Sequence, residues 1–295
     1  MQTKFRKKIK PYLFLLPLIT ILLAFIFSPM LYSLYLSFHS YNLTMAYKGL
    51  QFAGLKNYER FLFGGDFVNS LLVTLRFSIG AVIIELVLGF SIALILCRQF
   101  FGRIIVRTFI LTPMLIAGVV VGAMWTIILN DQFGVVNAII GLFGIPKQAW
   151  LSNPSLVVPS LILTDVWQAT PFVILVLMAG MQSLPHELYE AAEVDGASYF
   201  QKLFRLTIPL LTPLILIVTT IRIMDAFRLA DRVIVLTGGG PGTRSMVLNM
   251  YNYRETFISF NLGFGAAISW VILTLIMILS ICLFSLSDRE NTLVL

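Results

Sequence analysis

Residues 190–210 read EAAEVDGASYFQKLFRLTIPL, a polar segment rich in small residues that lies between two long apolar runs. Just upstream, Ser183, Pro185 and Glu187 spell a helix start: a capping hydroxyl, a proline tolerated in the first turn and an acid near the positive helix end. Leu184, Leu188, Ala191 and Ala192 recur at three-to-four spacing, so that helix has one apolar but shallow face. Gly196 supplies the left-handed conformation that ends a helix. A second short helix is expected through Tyr199, Phe200, Leu203 and Phe204, with Lys202 and Arg205 toward lipid headgroups and Pro209 in the first turn of the next apolar run. An ordinary interfacial hairpin accounts for the aromatics and cations. It leaves Glu190, Glu193 and Asp195 beside anionic lipid unexplained, whereas a docking surface for a partner protein, read as a helix set into a groove, accounts for both.

The flanking runs set the class. The chain has 295 residues, 58% of them hydrophobic and only 12% charged, against roughly a quarter charged in soluble domains. Several segments reach the ~20 apolar residues that cross a bilayer as helix, and they are continuous rather than alternating, which excludes a transmembrane barrel. Apolar runs at about 11–37, 70–97, 104–129, 156–181, 207–229 and 262–286 predict six spans of an all-α membrane protein. The N-terminal cations Lys4, Arg6, Lys7, Lys8 and Lys10 mimic a signal peptide, but the apolar stretch after them is too long for one, so it is expected to be an uncleaved first span. Arg98, Arg103, Arg107, Lys202 and Arg205 fall on the same side as that cluster, which predicts both termini in the cytoplasm; the last outer loop, with Arg232, Arg244 and Arg254, dissents. The net charge of +7 is therefore assigned to topology and anionic lipid, not nucleic acid. Trp125 and Trp150 are expected as interfacial aromatics, and Cys97 and Cys282 imply no disulfide framework and no metal site.

Three motifs carry a family resemblance across about residues 50–286. Glu190-Ala191-Ala192-Glu193-Val194-Asp195-Gly196 resembles the EAA loop of permease subunits in binding-protein-dependent, ATP-driven importers. Phe52-Ala53-Gly54-Leu55-Lys56-Asn57-Tyr58 and Leu236-Thr237-Gly238-Gly239-Gly240-Pro241 are similar to outer-loop motifs of the carbohydrate, MalF/UgpA-like branch. The resemblance implies the type I ABC importer permease fold in a bacterial inner membrane, with residues 1–69 as tail, first span and outer loop, 70–286 as the transmembrane domain with the coupling loop at 183–209, and 287–295 as a cytoplasmic tail. It further implies a second related permease, an ATPase dimer that binds ATP and Mg, a solute-binding protein and a small carbohydrate substrate, with no cofactor in this chain. Glu190, Ala191, Ala192, Asp195 and Gly196 would couple to the ATPase, and Gly238, Gly239, Gly240 and Pro241 would meet the binding protein. Aligned without gaps from the loop, Asp165, Gln168, Phe172, Arg222 and Asp225 fall at or beside sugar-contacting positions of the maltose permease.

No chemistry is expected in the chain itself. Gly238 to Ser245 superficially suggests a phosphate loop, but its lysine is absent, its glycine spacing is wrong and it lies outside the cell. His39 and His186 are isolated, so no zinc site or histidine triad can form. The intramembrane charges have competing explanations, because a charged residue at membrane depth costs at least ~2.5 kcal/mol and must pair or line a pathway. Arg222 with Asp225, and Arg228 with Asp231, could pair locally as a stripe extending the fifth span, with Arg232 at the water boundary. Arg76 and Glu85 are expected as helix–helix glue, and Trp167 as a lipid-facing ring. An ion-coupled secondary transporter would use the same acids for ions, and a phosphate ester or sugar acid would suit Arg222.

Overall fold

The computed structural model describes residues 15–291, so the expected N-terminal cation cluster, the start of the first span and the last four residues of the expected tail lie outside the described residues. The chain forms two compact units. One comprises the chain up to Gly64 with Asn252–Leu273, the other Gly65–Tyr251 with the chain from Thr274.

The first unit contains α1 (Leu15–Ser37), whose most apolar window has no residue buried within the chain. Such a helix is stable only against lipid or another subunit. The short antiparallel pair β1 (His39–Ser40) and β2 (Gln51–Phe52) follows, then α2 (Lys56–Leu62). Asn57, from the outer-loop motif, closes the end of α1: its amide donates to the carbonyls of Ser37 at 2.8 Å and His39 at 3.0 Å. The neighbouring Tyr58 hydroxyl lies 2.6 Å from the Ser37 hydroxyl. Phe61 packs edge-on against Phe264, over which the Arg60 guanidinium sits at 4.1 Å.

The second unit is built on α3 (Gly65–Cys97), α4 (Arg103–Leu115), α5 (Gly118–Ile128), α6 (Val135–Leu142), α7 (Val157–Gln182), α8 (His186–Val194), α9 (Tyr199–Phe227), α10 (Asp231–Leu236) and α11 (Leu248–Tyr253). A final helix, α12 (Leu262–Asn291), begins in the first unit and ends in the second. Among the described residues five helices are long and apolar enough to cross a membrane, and α4 with α5 makes a sixth if the bent pair is one span.

That pair corrects the expected third span. It is not one straight helix over 104–129: α4 and α5 meet at 102°. Pro113 cannot donate to the helical ladder, and Ile116 and Ala117 are extended, with ψ of 133° and 140°. A break within lipid leaves backbone groups needing partners, and the Gln168 side chain supplies one, donating to the Ile116 carbonyl at 2.6 Å. Two local expectations also fail. Ser183 does not cap α8; its hydroxyl bonds Gly180 at the end of α7, and Pro185 occupies the capping position. Trp125 is buried rather than interfacial, edge-on against Trp167 at 5.9 Å, so Trp167 is half-buried on Trp125 instead of facing lipid alone. Trp150 is held by Asn137, which also accepts from the backbone of Gln148 and donates to three outer-loop carbonyls.

The core is the contact of α3 with α7, joined by α9. Ala93, Leu96, Val173, Ile174, Leu177, Met178 and Val218 form its centre. Lipid tails are as apolar as leucine, so close packing rather than water exclusion holds such helices together, and small residues permit it. Gly89 marks a close approach of α3 to α7: a Cβ there would stand 2.6 Å from Val173 Cγ1. Overpacking of this kind costs about 1–3 kcal/mol. Gly89→Val should therefore lower the melting temperature of the purified protein in detergent, Val173→Ala should restore much of it, and Gly141→Ala, which meets nothing within 4 Å, should not lower it comparably.

Candidate functional site

The expected intramembrane residues converge, but on each other. Arg222 of α9 is buried and sits between three carboxylates. Its Nε donates to Glu85 Oε2 at 2.7 Å and its Nη2 to Glu85 Oε1 at 3.2 Å, a two-pronged pair between α9 and α3. Nη2 also reaches Asp165 Oδ2 of α7 at 3.2 Å, and Nη1 reaches Asp225 Oδ2 at 3.4 Å. The far oxygen of Asp165 accepts from Arg232 of α10 at 2.5 Å. Five charges thus join four helices, and a guanidinium fork is the group whose geometry suits such multiple pairing.

The local stripe expected along the fifth span is therefore only partly present. Arg222 and Asp225 do touch, but the shorter contacts are tertiary, and no Arg228–Asp231 ion pair occurs among the described residues. Arg228 is exposed. Asp231 bonds the backbone of Arg232 instead, and the Arg232 side chain is drawn inward to Asp165, with 13% of its surface exposed, not held at the water boundary. Its Nε and Nη1 are buried without a partner. Glu85 joins helices, whereas Arg76 is exposed and makes no ion pair among the described residues.

Asp165 is 1% exposed and fully engaged, Gln168 is committed through its amide to Ile116 with its Oε1 unpartnered, and Phe172 packs beside the α3–α7 core. Only Asp225, whose side chain is half exposed, offers an oxygen to an open surface. The sequence placed Arg232 at the water boundary and gave no sign of its pairing with Asp165, because a cation ten residues beyond Arg222 carries no periodic signal of a partner on another helix.

The polar segment of residues 183–209 forms a helix–turn–helix. All of α8 is exposed except Tyr189 and Ala192, which are half-buried, so Glu190 and Ala191 face outward and Val194 is 89% exposed. Gly196 takes φ +72°, and Ala197 N–H closes the turn on the Ala192 carbonyl at 2.8 Å. Ser198 and Gln201 then form a reciprocal capping box, a signal the sequence carried and its analysis overlooked. The second helix is continuous with the fifth span, from Tyr199 to Phe227. Lys202 does not point at headgroups; it pairs with Glu193 at 2.6 Å, which holds the Glu193 carboxyl below the usual carboxylate range.

The glycine loop at residues 236–245 is tightly turned. Gly238, Gly239 and Gly242 have φ of +58°, +90° and +59°, conformations that exclude most side chains. Ser245 Oγ donates to the Gly240 carbonyl at 2.5 Å and lies 2.7 Å from Thr237 Oγ1. Of the four expected contact residues Gly238 is exposed, Gly240 and Pro241 are half-buried, and Gly239 is buried against Met246.

Residues 85–290 match the family described as binding-protein-dependent transport system inner membrane component. The chain belongs to that family. It is a multi-pass inner-membrane permease subunit, a transport component and not an enzyme. It is 38% identical to the trehalose/maltose transport system permease protein MalF of Thermococcus litoralis, over 94% of this chain and 92% of that one. It is 33% identical to the trehalose transport system permease protein SugA of Mycobacterium tuberculosis, over 88% and 83%. Its fold matches a chain of a bacterial alginate ABC transporter, solved with an alginate pentasaccharide-bound periplasmic protein, at TM-score 0.83 over 98% and 97%, with 23% identity.

Removing one partner of a buried ion pair costs about 3–5 kcal/mol. Arg222→Met, which strands Glu85 and leaves Asp165 with Arg232 alone, should lower the melting temperature of the purified permease far more than Asp225→Asn, whose partner keeps its two other carboxylates. The Glu193–Lys202 tie follows the sign of its shift. Because the Glu193 carboxyl is depressed in the folded chain, the tie contributes fully above the ordinary carboxylate range and is lost as pH falls through the lowered value. The protection factors at Ala197 and Ser198, taken relative to the acid-slowed exchange of the unfolded chain, should fall on acidification to that range, and Glu193→Gln should abolish that fall.

Proposed function

We propose that this permease moves a neutral sugar, delivered by a solute-binding protein, and is driven by a separate ATPase dimer that docks on α8. The exposed EAA helix carries the proposal. Glu190, Ala191 and Val194 face outward with no side-chain partner among the described residues, while Tyr189 and Glu193 tie the same helix to the fifth span. A small-residue face lets a partner's backbone come close, and the acids give it a charge to meet. Asp195 and Gly196 set the turn that presents the helix. A second, related permease supplies the surface that α1 lacks, and both termini lie in the cytoplasm, with residues 70–286 as the transport domain.

The names of the relatives point to trehalose and maltose, and the ionic cluster favours an uncharged solute. Glu85, Asp165 and Asp225 outnumber Arg222 and Arg232, so the excess charge is negative and Arg222 is already matched. That disfavours a phosphate ester or sugar acid. Asp225 is the pathway residue best placed to accept a hydroxyl; Gln168 and Phe172 lie one and two turns from Asp165 on α7. On the outside, Gly238, Gly240 and Pro241 form the face offered to the binding protein.

The test is reconstitution in vesicles with the partner permease, the ATPase and the binding protein. Uptake of labelled trehalose or maltose should require ATP, and the chain alone should be inert under a proton or sodium gradient. Accumulation driven by either gradient would sink the proposal. Glu190→Lys and Gly196→Asp should each release the ATPase during purification while the permease keeps its melting temperature; continued co-purification of both variants would contradict docking at α8. Asp225→Ala should reduce uptake without loss of the ATPase.

A further inference from the structure

The base of the fifth span contains a wide turn that nothing in the transport reading requires. Leu203–Thr207 is π-helical, with Ile208 N–H bonded to the Leu203 carbonyl five residues back. Its cause is local. Pro209 has no N–H to give the Arg205 carbonyl, and its ring would collide with that carbonyl in a regular α-helix. Widening the preceding turn relieves the conflict.

The widening changes which residues share a face. At 3.6 residues per turn, positions five apart point about 140° away from each other. In a turn closed from residue to residue five back they lie nearly one above the other. Lys202 and Thr207 are five apart and bracket this turn, and the Thr207 hydroxyl donates to the Lys202 carbonyl at 3.3 Å. Both are contacted by α8. Glu193 meets Lys202 at 2.6 Å, and the Tyr189 hydroxyl lies 2.9 Å from Thr207 Oγ1. With the threonine proton directed at Lys202, the tyrosine is the donor. Tyr189 and Glu193 are four apart, one α-turn, so they stand on one face of their own helix.

We infer that the π-turn is a register device: it aligns Lys202 and Thr207 with Glu193 and Tyr189, so that α8 grips the fifth span at two points and moves with it as one rigid body. The inference rests on the docking of an ATPase at α8 and assigns Tyr189 and Thr207 as positioning residues for the coupling. Thr207 is only 7% exposed, so this second tie is shielded from water where the Glu193 pair is not. A pocket of about 220 Å³ beside the joint is lined by Leu94 and Cys97 of α3, Met181 of α7, and Tyr189 and Thr207. A single tie would leave α8 free to pivot about one contact, and motion imposed on it would be dissipated in the Asp195–Ala197 turn.

The experiment uses the whole importer in vesicles and reads the stimulation of ATP hydrolysis by the solute-binding protein loaded with maltose or trehalose. Tyr189→Phe deletes the hydrogen bond to Thr207, and Thr207→Val deletes it together with the threonine's own bond to the Lys202 carbonyl; each should reduce that stimulation about two- to tenfold or more, while the ATPase still co-purifies. The double variant should be no worse than Thr207→Val alone. Glu193→Lys should also reduce stimulation, and the exchange Glu193→Lys with Lys202→Glu should recover it, which a general loss of folding would not. Wild-type stimulation in both Tyr189→Phe and Thr207→Val would overturn the inference and leave the docking intact. Absence of stimulation, or of a bound ATPase, in the unmodified importer would remove the docking and the inference together.

Discussion

A guanidinium with three carboxylates around it, deep among membrane helices, constrains everything else in this permease. Neither Arg222 nor Glu85 nor Asp165 could remain in a bilayer unpaired, and each comes from a different stretch of chain. Their pairing therefore fixes the rotation of α3, α7 and α9 about their own axes. The apolar contact between α3 and α7 would tolerate small rotations, because methyl groups grip equally well over a range of angles. A two-pronged guanidinium pair does not. The arrangement also draws in α10 through Arg232, so the short helix beyond the fifth span is held to the bundle by charge as well as by packing.

The same requirement explains the broken third span. Ending one helix and starting another at membrane depth frees carbonyls that water cannot reach, and Gln168 meets one of them three residues from Asp165. Polar residues that look from their composition like a lining for a solute are thus partly spent on holding the fold. The half-exposed carboxylate of Asp225 is what remains available. Polar groups within a bilayer are few, so under the proposed function structure and transport would share these residues.

At the end of the fifth span that meets α8 the governing constraint is a proline. The π-turn it imposes lies between the exposed helix and the long span, and both ties from α8 land on its ends. Above it the fifth span is locked through Arg222. A displacement entering at α8 would thus have a stiff route toward the ionic cluster, since one continuous helix from Tyr199 to Phe227 contains both.

Class, the five long spans and the position of the exposed elbow were legible in the sequence, because they depend on the length and hydropathy of local runs and on Gly196, Pro209 and the EAA order. Motif identity likewise sufficed for the family. Two signals were present but overlooked, the Ser198–Gln201 capping box and the helix-breaking effect of Pro113. What no inspection of the chain could supply is the partnership of Glu85, Asp165, Arg222 and Arg232. These residues lie up to 147 positions apart, from Glu85 to Arg232, and spacing along one helix favoured the wrong local partner for Arg228 and left Arg232 at the water boundary. Local sequence determines where a helix runs and which charges it must bury; which opposite charge compensates them depends on how the helices pack, and only the tertiary structure decided that.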